Sequence, residues 1–254
     1  ANASGSGNLT YALDLQQTNN TNALDESFEN GSGAFNNQNT FIYTVSNPSS
    51  GVVPDGNKYL NITGNGNYND GLEATFSSTQ AKSISYWVRT NTTSFSNTGM
   101  VSFGDVGLNF VNDAMFYSYF YYGTLRVYMR DQNGFTYVYS SGSTSSTWVN
   151  VEARNIDWVN KSFDLYINNS LAYANAEFLN QNLVGLSEAH LSSVGTGNFD
   201  VDHMVIGSTT LVDAITFLPT SGTISGGNSN NVSVSVNATD LYAGVYNLDF
   251  VIQS

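Results

Sequence analysis

Residues 162–169, Ser-Phe-Asp-Leu-Tyr-Ile-Asn-Asn, alternate Phe163, Leu165 and Ile167 with Asp164, Tyr166 and Asn168 before closing on paired asparagines. A period of two marks a half-buried strand, because successive side chains of an extended backbone point to opposite faces. Asparagine tolerates the left-handed conformation of tight hairpin turns, so the segment predicts a strand running into a turn. Trp148–Ala153 shows the same alternation just upstream. Turn signals recur at Asn30-Gly31, Pro54-Asp55-Gly56, Asn65-Gly66, Asn133-Gly134, Ser141-Gly142 and Gly195-Thr196-Gly197, and the stretches between them favour β-branched and aromatic residues. The chain is therefore expected to be all-β and antiparallel. The one helix candidate is Leu183 to Leu191, where Glu188 and the leucines fit a short surface helix, and an irregular loop suits it equally.

The pair formed by Trp148-Val149-Asn150-Val151 and the strand ending at Asn168-Asn169 resembles the hairpin of laminin-G-like domains, which are jelly rolls of the concanavalin A type. Other pieces follow in the family's order: Leu9–Leu15 with Asn30-Gly31-Ser32-Gly33, Lys58–Tyr68, Lys82–Arg89, and Val201–Ile206. The resemblance implies a two-sheet antiparallel jelly-roll sandwich over residues 8–207, with Trp87, Trp148, Trp158, Phe76, Leu165 and Ile167 as core candidates. Beyond it, Ile215–Ile224, Gly226-Gly227-Asn228, Val232–Val236 and Leu241–Tyr246 are similar to the immunoglobulin-like modules appended to bacterial and archaeal surface proteins. A full sandwich of that kind takes about a hundred residues. Residues 210–254 therefore amount to a partial module.

Net charge is −13 at pH 7, which excludes binding to nucleic acid through phosphates. Cysteine is absent, so neither a disulfide nor a thiolate contributes. No run of about twenty apolar residues is present, and membrane insertion by a helix is not expected. The sequence opens at Ala1 with a Gly/Ser-rich stretch and no basic, apolar leader, as expected of a secreted chain after leader removal or of an excised fragment.

The block Met115–Tyr122 places Phe116, Ser118 and Phe120 on one strand face and Tyr117, Tyr119 and Tyr121 on the other. The tyrosines suit either core and subunit contact or stacking on sugar rings. The laminin-G resemblance implies a structural calcium held by an early loop acid and by the acid of the last strand, here Asp25 and Asp202; solvated turn acids are the alternative. No cofactor is required. Sequons at Asn8, Asn61, Asn91, Asn160, Asn168, Asn231 and Asn237 are candidate glycan acceptors.

Catalysis is not expected. Related glucanases carry Glu-x-Asp-x-x-Glu on one strand, whereas Glu152 and Asp157 lie on opposite faces, and His190 and His203 have no metal spacing. The expectation is a non-enzymatic extracellular surface protein, a filament subunit that self-associates into a homopolymer by strand complementation. Its donor would be residues 1–16, with Leu9, Tyr11, Leu13 and Leu15 on one face, unless that segment is the jelly roll's own first strand. The alternative is an adhesin or carbohydrate-binding module of a larger secreted protein that binds surface glycans.

Overall fold

A computed structural model describes residues 9–16, 22–37, 53–63, 67–93, 98–107, 113–143, 146–193, 197–207, 215–236 and 249–253. The chain divides into two units, residues 22–208 and residues 1–21 with 209–254. All described strand pairs are antiparallel.

Strand β6 (Ser83–Thr90) shows how alternation builds the larger unit. Ile84, Tyr86 and Val88 are buried, while Ser85, Trp87 and Arg89 stay half-exposed on the other face. In the first sheet, β6 lies between β15 (Asn198–Gly207) and β11 (Val149–Asp157), and β12 (Ser162–Ile167) and β13 (Ser170–Glu177) follow. Strands β2 (Leu24–Glu26) and β4 (Leu60–Thr63) both pair with β15. The second sheet runs β9 (Thr124–Arg130), β8 (Ala114–Tyr121), β7 (Thr98–Gly104), β14 (Leu186–Ser193), β5 (Asn67–Thr79) and β3 (Asn36–Asn37), with β10 (Thr136–Ser143) paired to β9. Among the described residues, the two sheets are joined in register between β13 and β9 by one pair, Glu177 opposite Arg130. The result is a jelly-roll-like antiparallel sandwich.

Its core is an aromatic ladder across the interior. Tyr86 meets Phe103 at 5.4 Å, Phe103 meets Phe116 at 5.3 Å, and Phe116 meets Phe163 of the facing sheet at 5.1 Å. The Tyr86 hydroxyl donates to Ser118 Oγ at 2.8 Å, so both buried hydroxyls are satisfied across the interface. Burial raises the Tyr86 phenol above its ordinary range.

Trp158, Leu165 and Ile167 are buried as expected, and the Trp158 indole donates to the Ala81 carbonyl at 2.7 Å. Trp87 and Trp148 are only half-buried, and Phe76 packs against the core from its margin. In the Ser-Tyr-Trp-Val stretch it is Tyr86 and not Trp87 that enters the core, because register with Ile84 and Val88 sets the inner face. The stretch from Leu183 to Leu191 is no helix: Leu186–Ser193 is the strand β14, in which Ala189 and Leu191 point inward.

The smaller unit holds strand β1 (Leu9–Gln16), which pairs with β17 (Ser221–Ile224) and β19 (Asp249–Gln253) of its own chain. Leu9 lies opposite Ile224, and Leu13 and Leu15 lie opposite Ile252 and Phe250. Tyr11 is buried while Thr10 is exposed, and Gly222 makes room for the ring, since a Cβ there would come within 2.9 Å of its hydroxyl. A second pair joins β16 (Ile215–Leu218) to β18 (Ser233–Val236). The larger unit thus begins at residue 22 and not at residue 8, because β1 finds its partners in the C-terminal strands. Among the described residues the smaller unit has five strands, short of the seven of an immunoglobulin sandwich.

Truncating the aromatic ladder should be costly. Phe163→Ala is expected to destabilise the protein by about 3–5 kcal/mol. Tyr86→Phe, which leaves Ser118 buried without its donor, should cost about 1–3 kcal/mol. Urea unfolding followed by tryptophan fluorescence measures both.

Candidate functional site

The outer face of the second sheet departs from the usual pattern of polar residues facing water. Strands β7 and β14 are buried at every position, and β8 at all but its last. With Ala189 and Leu191 pointing to the core, Glu188, His190 and Ser192 fall on the outer face of β14. Register then builds a transverse row: His190 lies opposite Glu73 on β5 and Ser102 on β7, Ser102 opposite Tyr117 on β8, and Tyr117 opposite Tyr128 on β9.

Tyr117 and Tyr128 stack at 4.8 Å with planes 9° apart, Tyr119 stacks on Tyr128 at 5.3 Å, and the Tyr119 and Tyr128 hydroxyls are hydrogen-bonded at 2.8 Å. Burial and the Tyr128 hydroxyl push the Tyr119 phenol up to about 12. Tyr117 and Tyr119 are 7% and 6% exposed, packed with Met100 and Leu179. Their faces are therefore used on one another and are not open to a sugar. Tyr121, half-buried at the strand end, carries Arg126 at 3.9 Å over its ring and the exposed Tyr122 edge-on at 4.7 Å.

At the other end of the row, Glu73, Glu188 and His190 each offer one donor atom, all lying within 4.8 Å of one another. Glu188 and His190 are buried and Glu73 is half-buried. Burial raises the Glu73 carboxyl above its ordinary range, and the charge of Glu188 adds to this. The Glu188 Oε2 accepts from the Gly107 amide at 2.8 Å. Sequence reasoning missed this cluster because the helical or looped reading of residues 183–191 hid the facing of Glu188 and His190. Their i, i+2 spacing beside alternating Ala189 and Leu191 was the available signal.

A pocket of about 280 Å³ opens beside Gly107, lined by Asp105, Val106, Gly107, Asp113, Asn180, Asn182, Leu183 and Val184. Asp105 accepts from the Ser187 hydroxyl in a short hydrogen bond and from the Val106 amide at 2.9 Å, which holds its carboxyl below the usual range. The opposite wall is fixed to β8, as the amides of Leu179 and Asn180 donate to the carbonyls of Met115 and Ala114 at 2.8 and 3.0 Å. Lys161 Nζ donates to the Leu183 carbonyl at 2.6 Å and Asn182 N donates to Asn180 Oδ1 at 2.9 Å, ordering the loop itself.

The acids named from the resemblance take different partners. Asp202 accepts from the amides of Asp55 and His203, both at 2.9 Å, and burial, with the charge of Asp55, pushes its carboxyl up to about 6. Asp25 is exposed, lies opposite Val205, and accepts from the Asn22 amide group at 3.0 Å. Among the sequons, Asn61 Nδ2 donates to Asp200 at 2.5 Å and Asn160 Nδ2 donates to Asp157 at 2.7 Å, so both acceptor nitrogens are engaged. Asn91, Asn168 and Asn231 are exposed, while Asn8 and Asn237 lie outside the described residues. Asp200 belongs to a compact cluster: it pairs with Arg89 at 2.6 Å, and the guanidinium lies 4.5 Å from the Trp148 ring and 5.0 Å from Tyr59.

No protein-family model and no curated protein matches the sequence. Solved structures match in fold. A sialidase superposes with a TM-score of 0.55 at 10% identity over 80% of this chain, which spans 20% of the sialidase. A carbohydrate esterase of a Shiga toxin-encoding bacteriophage gives 0.54 at 12% identity, over 74% of this chain and 99% of the esterase. The binding domain of botulinum neurotoxin serotype G gives 0.47 at 17% identity, over 76% of this chain and 49% of that one. At these identities the likeness to the sialidase and the esterase shows the all-β fold alone.

Two measurements test the electrostatics. Arg89→Met leaves Asp200 buried without its cation and should cost about 3–5 kcal/mol at neutral pH. Protonating Asp200 removes the stranded charge, so the penalty should shrink as pH falls. Asp202, raised from 3.8 to about 6, binds its proton more tightly in the folded state. Its contribution is full below the unfolded value and is lost as pH rises through about 6, a loss that Asp202→Asn should flatten in unfolding measured across that window.

Proposed function

We propose that this chain is a non-enzymatic glycan-binding module of an extracellular surface protein, of the adhesin type, and that the pocket between residues 105–107 and 180–184 holds the sugar. The observation that carries this reading is the lining. Asp105, Asp113, Asn180 and Asn182 supply acceptors and donors for hydroxyls, while Val106, Leu183 and Val184 supply an apolar surface for the C–H face of a ring. Its volume of about 280 Å³ suits a single sugar residue and not an extended chain, and so weak binding.

Binding proceeds without hydrolysis. Glycoside cleavage needs a carboxylic acid that keeps its proton near neutral pH. Asp105 is held ionised by Ser187 and the Val106 amide, which suits it to accept from a hydroxyl and not to donate a proton. Two of the structures that share the fold are a sialidase and a carbohydrate esterase, names that agree with a glycan ligand. The seating of β1 between β17 and β19 of its own chain supports a module over a filament joined by strand donation. The ordered motifs support a place among laminin-G-like jelly rolls.

A glycan array with the soluble protein, followed by calorimetry on the ligand found, tests the reading. Asp113→Ala and Asn182→Ala should each weaken binding by about tenfold, the loss of one charged or well-placed hydrogen bond, with melting temperature unchanged. Tyr121→Ala should leave affinity as it was. Absence of binding to any glycan, binding indifferent to both pocket variants, or release of reducing sugar would each overturn it.

A further inference from the structure

We propose that Glu73, Glu188 and His190 form a binding site for one divalent transition-metal ion, zinc being the probe of choice, on the outer face of the second sheet. The three donor atoms lie within 4.8 Å of one another and come from β5 and β14, which are neighbours in the sheet. Bonds of about 2.1 Å place the donors around one ion about 3 to 4 Å apart, so rotation of the half-buried Glu73 closes the remaining distance. An imidazole with two carboxylates is a zinc-type donor set; calcium takes oxygen ligands only and more of them.

Independent observations point into the same spot. Ser102 and Ser192 are 0% and 1% exposed, and their hydroxyls have no hydrogen-bond partner. Ser102 lies directly opposite His190, and Ser192 is two positions further along β14, so both share the outer face with the imidazole. Buried hydroxyls normally find partners, and a metal ion or a water bound to it would supply one here. Gly71, opposite Ser192, lacks the side chain that would fill the space, since a Cβ would approach His190 Nε2 to 2.2 Å. A divalent cation would also neutralise two carboxylates that otherwise repel across a short distance.

Burial decides between an ion and a sugar. Glu188 and His190 are each 2% exposed, which admits an ion and not a glycan ring. Glu188 also accepts from the Gly107 amide, so the ion would fix one wall of the neighbouring pocket. This site stands whether or not that pocket binds sugar.

The test uses the full chain, stripped with chelator and titrated with zinc chloride by calorimetry and thermal unfolding. One equivalent should bind and raise the melting temperature, and cobalt at the same site should give a visible absorption band. Glu73→Gln and His190→Ala should each weaken zinc by more than about tenfold, since even outer-shell losses cost that much. Glu73 is half-buried, so Glu73→Gln should keep the metal-free melting temperature and separates lost ligation from lost folding should His190→Ala fail to fold. Stoichiometric zinc binding unchanged in Glu73→Gln, no stoichiometric binding, or equal affinity for calcium would overturn the proposal.

Discussion

The fold depends on the contact between Phe116 of one sheet and Phe163 of the other. Around it, Phe103 and Tyr86 extend an aromatic seam that fixes which face of each strand is inner. Once Phe103 and Phe116 face inward, Ser102 and Tyr117 must face outward, because strand side chains alternate. Every group of the candidate sites on the second sheet inherits its direction from this packing. A slip of one residue in β7 or β14 would send Ser102 or His190 into the apolar interior.

Most jelly-roll strands leave an outer face to water. Here the centre of the second sheet is buried on both faces, and the covered outer face carries tyrosines, serines, glutamates and a histidine. Polar groups in such a place are expensive unless they are paired or used. The tyrosines are paired, through stacking and the Tyr119–Tyr128 hydrogen bond. The carboxylates and imidazole lie where one charge can serve all three. The loop pocket beside them meets solvent with amides and carboxylates, and its wall at residues 179–180 is held by backbone hydrogen bonds to β8. Sheet and pocket therefore meet at Gly107, which lines the pocket and donates to Glu188.

Strand character was legible wherever one face was wet, as in β6 and β12, because alternation of polar and apolar residues is strong there. It failed in β14, where both faces are buried and alternation becomes apolar against polar-but-covered. Leu-Ser-Glu-Ala-His-Leu then looks like one turn of an amphipathic helix, and the cluster at Glu73 depends on pairing with β5, more than a hundred residues away in sequence. Tyr117 and Tyr119 were correctly assigned to one face, but alternation cannot say whether a face is covered. The seating of β1 was equally hidden: a clean alternating strand fits any open edge, and only the partners choose. The pocket is assembled from two separated loops whose Asp and Asn residues are individually ordinary in a chain so rich in amides.

Among the described residues, the two halves of the sandwich share one register pair, Glu177 and Arg130, and beside it the Leu179 and Asn180 amides donate to β8, so most of the contact between the halves is side-chain packing. Backbone pairing thins at that line, whereas apolar packing crosses it. Amide exchange in such a molecule follows the boundary: the β7, β8 and β14 amides, covered on both sides, open only with global unfolding, while those near the join report local separation of the sheets. A ligand held on the second sheet alone would slow exchange there and leave the first sheet's slowest amides at the pace set by the shared core.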